Sequence, residues 1–257
     1  MFWPVEETQK QKSIRFSPNK KANCSITFLF YCFFVIIRYM IRFDIITIFP
    51  KIFTSYFSES ILKRAQQKKL IKINIHNFRD TTTNRHHTVD DRPYGGGPGM
   101  ILMVEPIYKT LQKIKKTQKH KNRIIMLTPA GKIFDQKMAK RLSRYDQLIL
   151  LCGRYEGFDA RLEKFVDEKV SIGNYVLAGG ELPAMIVVEA VARNIPGVVG
   201  HEHALDEETF SPNLDYIEYP QYTRPETFKG MRVPKVLLSG NHTEIAAWRR
   251  KMSKKRK

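Results

Sequence analysis

The sequence predicts an α/β fold built on a parallel sheet that is covered on both faces. From Met40 onward, short apolar runs alternate with segments whose apolar residues recur at helical spacing. The apolar runs are almost continuous, as is typical of strands buried on both faces of a parallel sheet. Hydrophobic residues make up 42% of the 257 residues, which excludes a disulfide-stapled miniprotein and a wholly disordered chain.

The individual elements follow from this alternation. A strand begins at Ile41 and stops at Pro50, because proline cannot continue a central strand. Helical spacing predicts a helix over 52–62, alternation predicts a strand over 71–75, and the polar, glycine-rich residues 77–99 predict a loop. The later elements, in chain order, are a helix over 105–115, a strand over 123–127, a helix over 134–144, a strand over 147–152, a short helix over 161–165, a strand over 166–171 and a helix over 182–194.

Residues 1–39 differ from the rest of the chain and are interpreted as an N-terminal extension without a structural role. Their apolar run, residues 26–37, is too short to span a bilayer, which takes about 20 apolar residues. The basic pair Lys20-Lys21 would suit a signal peptide, but Arg38 follows the run directly and no small-residue cleavage site is present. We therefore favour translation from Met40 and predict no membrane attachment.

Beyond Pro196 the alternation of strands and helices ends. The sheet domain is assigned to residues 40–200, and the acidic, irregular residues 201–222 to an interdomain linker or lid. A second unit, residues 223–257, contains a helix with Asn241 at its N-cap. The chain ends in RRKMSKKRK, in which seven of nine residues are basic. We favour a solvated, disordered end, and an electrostatic contact to RNA is the alternative.

Charge and cysteine content bear on the partners and the compartment. The chain has 44 Lys and Arg against 25 Asp and Glu, a net charge of +19 that modestly favours a nucleic-acid partner. Its three cysteines include no C-x-x-C pair, so neither a zinc site nor a disulfide framework is predicted. A reducing, cytoplasmic setting fits this usage best.

Three loops after predicted strands predict a binding pocket. Residues 128–131, 152–157 and 171–181 each follow the C-terminal end of a strand, where ligands bind in open α/β sheets. Their glycines allow the backbone to approach a ligand closely. The sequence contains neither G-x-x-x-x-G-K-[ST] nor a G-x-G-x-x-G between a strand and a helix, so nucleoside triphosphates and NAD are excluded as ligands.

The most unusual string is DDRPYGGGPGM at residues 90–100. Its glycines and prolines exclude a helix or a strand interior. A flexible linker would have this glycine content, but the flanking Asp90, Arg92 and Tyr94 favour a functional loop.

Five strings, in order along the chain, resemble the bacterial tRNA (guanine-N1)-methyltransferases, which belong to the SPOUT class of RNA methyltransferases. The resemblance covers residues 40 to about 250. The strings are DDRPYGGGPGM at 90–100, CGRYEG at 152–157, SIGNYVLAGGELP at 171–183, YTRPE at 222–226 and VLLSGNH at 236–242.

This resemblance implies a fold, a reaction and partners. The fold is a parallel α/β sheet with a C-terminal trefoil knot, an exception to the usual absence of knots. The reaction transfers a methyl group from S-adenosylmethionine to N1 of the guanosine at position 37 of tRNA, with assistance from Mg²⁺. The protein is expected to be a homodimer whose subunits share the RNA pocket. The family's second domain is a small helical tRNA-binding unit, and since this chain stops soon after its first helix, we expect a truncated or reduced form.

The resemblance also assigns the cofactor site to the three loops. Gly153 and the backbone of residues 172–177 would contact the adenosine and ribose, and Glu156 would lie near the charged methionine end. The residues expected to bind the cofactor are Thr128, Pro129, Gly153, Tyr155, Glu156, Ile172, Gly173, Asn174, Tyr175, Val176, Leu177, Gly179 and Gly180.

Catalytic and RNA-binding roles follow from the same resemblance. The guanine-contacting arginine falls on Arg193, a residue that by itself would be interpreted as a cation at a helix C-terminus. The general base, an aspartate in the family, falls on Glu208, with Asp206 as the alternative carboxylate. Glutamate has a similar reference pKa but extends one methylene further from the backbone. Asp90, Arg92 and Tyr94 are expected RNA contacts.

Two other functions are compatible with parts of the sequence. One is a knotted RNA methyltransferase acting at a different RNA position, which the 90–100 and 222–226 strings disfavour. The other is a non-catalytic RNA-binding remnant, suggested by the altered base and the short C-terminal unit and opposed by the intact cofactor loops. The methyltransferase is the favoured interpretation.

Overall fold

The computed structural model describes residues 40–115, 121–200, 205, 208–211 and 216–255. The predicted N-terminal extension lies outside these ranges. The strands are β1 (Ile41–Thr47), β2 (Ile71–Asn77), β3 (Asp90–Asp91), β4 (Ile101–Leu102), β5 (Asn122–Ile133), β6 (Gln147–Cys152), β7 (Glu168–Ser171), β8 (Tyr216–Ile217), β9 (Thr227–Phe228), β10 (Met231–Arg232) and β11 (Lys254–Lys255). The α-helices are α1 (Ile52–Phe57), α2 (Ser60–Gln67), α3 (Val104–Lys115), α4 (Gln136–Leu142), α5 (Glu181–Ala192), α6 (Lys235–Leu238) and α7 (His242–Met252), and 3₁₀ turns cover Phe78–Thr81 and Ala160–Phe165.

Five strands form the central sheet in the order β2-β1-β6-β5-β7. Every neighbouring pair in this sheet is parallel, which confirms the predicted parallel α/β architecture. Because all five strands run in the same direction, the loops that leave their C-terminal ends lie along one edge. This edge is where the candidate site forms.

Alternate residues of the strands pack into two hydrophobic layers. On one face, Leu148 and Leu150 of β6 pack with α1, α2, α4 and α5. On the other face, Ile149 and Leu151 pack with α3 and the two 3₁₀ turns. The central strand β6 is buried along its whole length because both of its faces are covered, as its near-continuous apolar run indicated, whereas the edge strand β2 alternates apolar and polar residues.

Two elements differ from the sequence-based expectations. The predicted helix over 52–62 is two helices, because Glu59 between them is extended (φ −126°, ψ 164°) and Ser60 after it has a left-handed φ of 51°. The strand expected over 123–127 extends to Ile133. Its pairing with β7 is interrupted after Leu127 and resumes at Lys132, so residues 128–131 leave the sheet and the strand continues beyond them.

The C-terminal part contains the predicted helix, and its basic end is more ordered than expected. The side chain of Asn241 accepts hydrogen bonds from the backbone N–H groups of Thr243 and Glu244, which confirms its predicted N-cap role. Three of the basic residues lie in the last turn of α7, and β11 pairs antiparallel with β8. The expected disordered end is therefore wrong for residues 249–255. The division into units at 200 and 222 stays a prediction.

Within the described part of the chain, no helix combines the length and the apolar composition that crossing a bilayer requires.

Candidate active site

A cavity of about 360 Å³ lies at the C-terminal ends of β5, β6 and β7. Its wall combines exposed backbone, apolar side chains and a few charged groups, the composition usual for a small-molecule site. Three segments supply nearly all of the wall: residues 126–130 within β5, at its irregularity, residues 153–160 after β6, and residues 169–180 within and after β7. Residues of all three predicted loops therefore line one cavity, but residues 128–131 lie within β5 and do not follow its end. That this cavity binds the cofactor stays a prediction.

Glycines bring the second and third loops into direct contact. The N–H of Gly180 donates a hydrogen bond to the carbonyl oxygen of Gly153 at 2.9 Å. A Cβ atom at Gly180 would lie 2.7 Å from the Cα of Cys152, closer than real Cβ contacts come. Any side chain at position 180 would therefore push the two loops apart and change the cavity between them.

Most of the residues expected to bind the cofactor line this cavity. Gly173 and Asn174 are not among its lining residues. Gly173 instead belongs to a turn in which its carbonyl accepts a hydrogen bond from the Ser171 hydroxyl at 2.9 Å. The expected residues that do line the cavity are Thr128, Pro129, Gly153, Tyr155, Glu156, Ile172, Tyr175, Val176, Leu177, Gly179 and Gly180.

Sequence reasoning missed several charged lining residues. Arg154 lies within the CGRYEG string, but nothing in its spacing marks its contacts. Glu163 and Lys169 also line the cavity and form an ion pair at 3.0 Å. Hydrogen bonds from Arg161 hold the pKa of the lining residue Asp159 below its usual value, so this carboxylate stays ionised at neutral pH.

Cys152, the last residue of β6 and the neighbour of the lining residue Gly153, is a free, buried thiol. Burial, reinforced by the nearby Glu181 carboxylate, raises the pKa of this thiol well above its ordinary value. A thiol that remains protonated is a poor nucleophile, so the geometry does not favour a covalent cysteine mechanism.

The glycine-rich loop over 90–100 reaches the mouth of the cavity. Glu156 donates its backbone N–H to the carbonyl of Met100 at 3.0 Å. A Cβ atom at Gly99 would lie 2.6 Å from the Glu156 side chain, so glycine is needed where the loop passes this residue. At the other end of the loop, Asp90 pairs with Leu102 in the β3–β4 ladder.

The three residues expected to contact RNA are on this same loop. Arg92 and Tyr94 are exposed, and the Tyr94 side chain is fully accessible to solvent. Asp90 is half-buried. The loop thus holds an exposed arginine and an exposed aromatic ring beside the cavity, where both can contact a nucleic acid.

The expected catalytic pair lies elsewhere on the chain. Arg193 is the C-cap of α5, and its guanidinium donates a hydrogen bond to the carboxylate of Glu208. The N-terminal end of α5 adjoins the cavity, because Gly180 and Pro183 line it. At about 1.5 Å per residue, the 12-residue helix separates the pair from the cavity by roughly 18 Å. Asp206 lies outside the described residues.

Comparison with known proteins agrees with these features. The family model described as tRNA (Guanine-1)-methyltransferase TrmD matches residues 41–257. The chain is 51% identical to a tRNA (guanine-N(1)-)-methyltransferase of Dictyoglomus turgidum, over 84% of this chain and 86% of that protein. It is 51% identical to the Clostridioides difficile protein of the same name (82% and 92%) and 52% identical to that of Carboxydothermus hydrogenoformans (82% of each).

The chain belongs to the tRNA (guanine-1)-methyltransferase family. This finding confirms the resemblance inferred from the five strings. The matched region includes all three cavity loops, the 90–100 loop and the Arg193–Glu208 pair.

In this tRNA (guanine-1)-methyltransferase family member, one side of α5 is apolar and exposed. Leu182 and Ile186 are 56% and 44% exposed, and Ile52 and Tyr56 of α1 are exposed to a similar degree. The Tyr56 hydroxyl donates a hydrogen bond to Glu189 of α5, which fixes the two helices side by side. Leu182, Ile186 and Arg193 follow one another at helical spacing, so the apolar stripe leads from the cavity end of α5 to the Arg193–Glu208 pair.

Within the described ranges, no three His, Cys, Asp or Glu side chains come together to hold a metal ion.

Proposed function

We propose that this chain transfers a methyl group from S-adenosylmethionine to N1 of the guanosine at position 37 of tRNA, next to the anticodon. The observation that carries the proposal is a three-loop cavity in a chain about half identical to proteins named tRNA (guanine-N(1)-)-methyltransferase. Neither the knotted enzyme of other specificity nor the non-catalytic remnant has comparable support.

The cavity fits the proposed methyl donor. Its volume of about 360 Å³ lies within the range of small-molecule sites. The backbone of residues 172–177 and Gly153 would hold the adenosine, as the resemblance implies. The carboxylate of Glu156 lines the same cavity and suits the positively charged methionine end of the donor. When bound, S-adenosylmethionine supplies a methyl group activated by its sulfonium sulfur.

The Arg193–Glu208 pair supplies the proton chemistry. Neutral guanine carries a hydrogen on N1, which must leave before that nitrogen becomes a good nucleophile. We propose that the Glu208 carboxylate accepts this proton as a general base, a role worth about 10²- to 10⁴-fold in rate. The Arg193 guanidinium stabilises the negative charge that develops on the guanine O6. The remaining catalysis is alignment of the donor carbon with N1.

The position of Arg193 at the end of α5 away from the cavity favours a homodimer. Because Arg193 lies at the far end of α5, roughly 18 Å along the helix from its cavity end, one subunit would not bring its own cavity and its own Arg193–Glu208 pair to the same guanine. An isologous contact through the apolar stripe of α5 would pair two antiparallel copies of the helix. The catalytic pair of each subunit would then approach the cavity of its partner, and the exposed Leu182 and Ile186 would be buried.

We also propose a knotted fold, a tRNA-binding second unit and a cytoplasmic location for the protein. The close contact between the loops after β6 and β7 fits a trefoil knot in this part of the sheet. The second unit, residues 223–257, would bind tRNA through its basic helix, and residues 201–222 would link it to the sheet domain. The described residues include no cluster of three His, Cys, Asp or Glu side chains that would hold Mg²⁺, so no step of the proposed reaction runs through this ion. A buried free thiol fits the cytoplasm.

Methyl transfer to defined transcripts tests the proposed function. Purified protein is incubated with labelled S-adenosylmethionine and an unmodified tRNA that carries guanosine at position 37. We expect label at that position as N1-methylguanosine and none in the matched transcript with adenosine at 37. Label at another nucleotide would support the alternative specificity, and the absence of label would support the remnant.

A further inference from the structure

The carboxylate of Glu181 is buried beside the cavity and fully partnered. This first residue of α5 is only 2% exposed, and its two oxygens accept hydrogen bonds from two different elements. The hydroxyl of Thr47, at the end of β1, donates to one oxygen at 2.8 Å. The Nε of Arg154, in the loop after β6, donates to the other at 2.9 Å. A buried carboxylate is tolerated only when it is paired in this way.

Arg154 reaches Glu181 by crossing the cavity loop. Arg154 and Gly179 form an antiparallel bridge, and the guanidinium also donates to the carbonyl of Ala178 at 3.4 Å. A Cβ atom at Gly179 would lie 2.2 Å from the Arg154 Nε, so a side chain at position 179 would displace the guanidinium from its present path across the loop. The loop is thus held between the Arg154 backbone and its side chain.

The guanidinium of Arg154 also contacts an aromatic ring. Its central carbon lies 4.7 Å from the centroid of the Phe49 ring, a cation–π contact. The backbone N–H of Phe49 donates to the Thr47 hydroxyl at 2.9 Å, and that hydroxyl in turn donates to Glu181. Residues from β1, from the loop after β6 and from the start of α5 therefore meet at one ion pair.

Thr47 and Glu181 are buried, whereas Phe49 is 41% exposed. The two hydrophobic layers of the sheet contain neither Arg154 nor Phe49. What the ion pair does fix is the path of residues 178–180, which line the cavity and contact Gly153. A loop whose backbone must accept a ligand benefits from being held in the binding geometry before the ligand arrives.

We propose that Arg154 and Glu181 are positioning residues, whose buried ion pair holds residues 178–180 in the conformation that binds the methyl donor. This inference rests on the proposed function. It assigns to the pair a role in binding S-adenosylmethionine and no direct part in proton transfer. The pair acts on the backbone of the loop, so its loss affects the donor and leaves the affinity for tRNA unchanged.

Arg154→Lys tests this role with the charge retained. Lysine is a point donor and cannot contact Glu181, bond the Ala178 carbonyl and stack on Phe49 together. We expect the Kd for S-adenosylmethionine, measured by calorimetry, to rise roughly 10- to 100-fold. At saturating S-adenosylmethionine, the KM for tRNA should change less than about twofold, which a general loss of structure would not allow.

Two further variants and a control complete the experiment. Phe49→Leu keeps the ion pair and removes the cation–π contact, so the Kd should rise only about two- to fivefold. Glu181→Gln combined with Arg154→Lys should cost less than the sum of the single changes, because the two residues act together. Arg141→Lys, which alters an ion pair with Glu168 at the opposite end of β7, should leave the Kd unchanged.

The outcomes separate this inference from the proposed function. If the wild-type chain binds S-adenosylmethionine and folded Arg154→Lys and Phe49→Leu variants bind it equally well, the positioning role is wrong. Equal losses in donor and tRNA affinity would also overturn it. If the wild-type chain does not bind S-adenosylmethionine, the proposed function itself fails.

Discussion

The guanidinium of Arg193 donates a hydrogen bond to the carboxylate of Glu208, across 15 residues of chain. Both side chains are partly exposed, so solvent screens the pair and its contribution to stability is small, about 0–1 kcal/mol. A weak ion pair of this kind can separate at small cost, and each of its two groups can then form a hydrogen bond to a ligand. A guanine base offers O6 to the guanidinium and the N1 hydrogen to the carboxylate, so the same two groups can bind one base edge.

Replacing Glu208 by glutamine should abolish the proposed proton transfer. Glu208→Gln retains the size of the side chain and its hydrogen bonding but removes the basic oxygen. We expect kcat to fall about 10²- to 10⁴-fold, with the Kd for S-adenosylmethionine unchanged. Single-turnover methylation of tRNA with guanosine at position 37 measures this directly.

Asp206→Asn is the matched control, because it neutralises a neighbouring carboxyl group of the same acidic segment. Its kcat should stay within about threefold of the wild type, since small rate changes are expected when no reacting group is removed. A large loss for Asp206→Asn and a small one for Glu208→Gln would reverse the assignment. Equal, small effects would remove both residues from the mechanism.

The contact between Gly180 and Gly153 should be indispensable for donor binding. In Gly180→Ala, the new methyl group meets the Cα of Cys152 at 2.7 Å and forces the two loops apart. We expect the Kd for S-adenosylmethionine to rise and kcat/KM to fall at least about 100-fold, the loss in rate that a displacement of about 1 Å causes. Gly200→Ala serves as the control, because a Cβ there meets no atom within 4 Å; comparable losses in both variants would contradict this account.

Acid should destabilise the fold through Asp44. This carboxylate lies on β1 and is fully buried. Desolvation raises its pKa, but hydrogen bonds from His76, Arg42 and Gln147 outweigh this effect, so the pKa lies below the ordinary value. A carboxyl group with a lower pKa in the folded chain stabilises it above the unfolded pKa of about 3.9. That stabilisation is lost as the pH falls through the lower folded value.

The test compares the Tm of the wild type with that of Asp44→Asn across pH. The difference should be large at pH 6 and should shrink as the pH falls below about 4, because only the wild type loses a charge. A difference that stays constant down to pH 2 would show that Asp44 contributes through packing alone.

The apolar stripe on α5 should control self-association. Ile186→Glu places a charge in the centre of this stripe, where it would be buried and unpaired in a dimer. Light scattering should give twice the chain mass of 30.0 kDa for the wild type and 30.0 kDa for the variant. Lys113→Glu, on an exposed position of α3, should stay dimeric. A dimer that survives Ile186→Glu would place the interface elsewhere.

Much of the fold could be predicted because its signal is local. The six residues of β6 form the strand over the predicted bounds, since an unbroken apolar run bounded by polar residues has few other structures available. The break at Ser60 was not predictable, because apolar spacing continues through it and only the backbone conformation interrupts the helix. The continuation of β5 beyond residue 131 could not be predicted either, since it depends on pairing with β7.

In the site, too, the features that depend on neighbouring residues could be predicted, and the contacts between distant residues could not. Strings of glycine after strand ends indicated the three loops, because close backbone approach requires glycine wherever it occurs. The ion pair between Arg154 and Glu181 joins residues 27 positions apart in two separate strings. No periodicity connects these two positions. The distance between the cavity and Arg193 likewise became evident only once α5 was placed against the sheet.

Complementation between two inactive variants tests most directly whether the cavity and the Arg193–Glu208 pair serve one reaction across a dimer. The Glu208→Gln chain keeps an intact cavity, and the Gly180→Ala chain keeps an intact Arg193–Glu208 pair. Random mixing makes half of the dimers mixed, each with one complete site, so about a quarter of the wild-type methylation rate should return. A rate no greater than that of the separate variants would contradict the shared site.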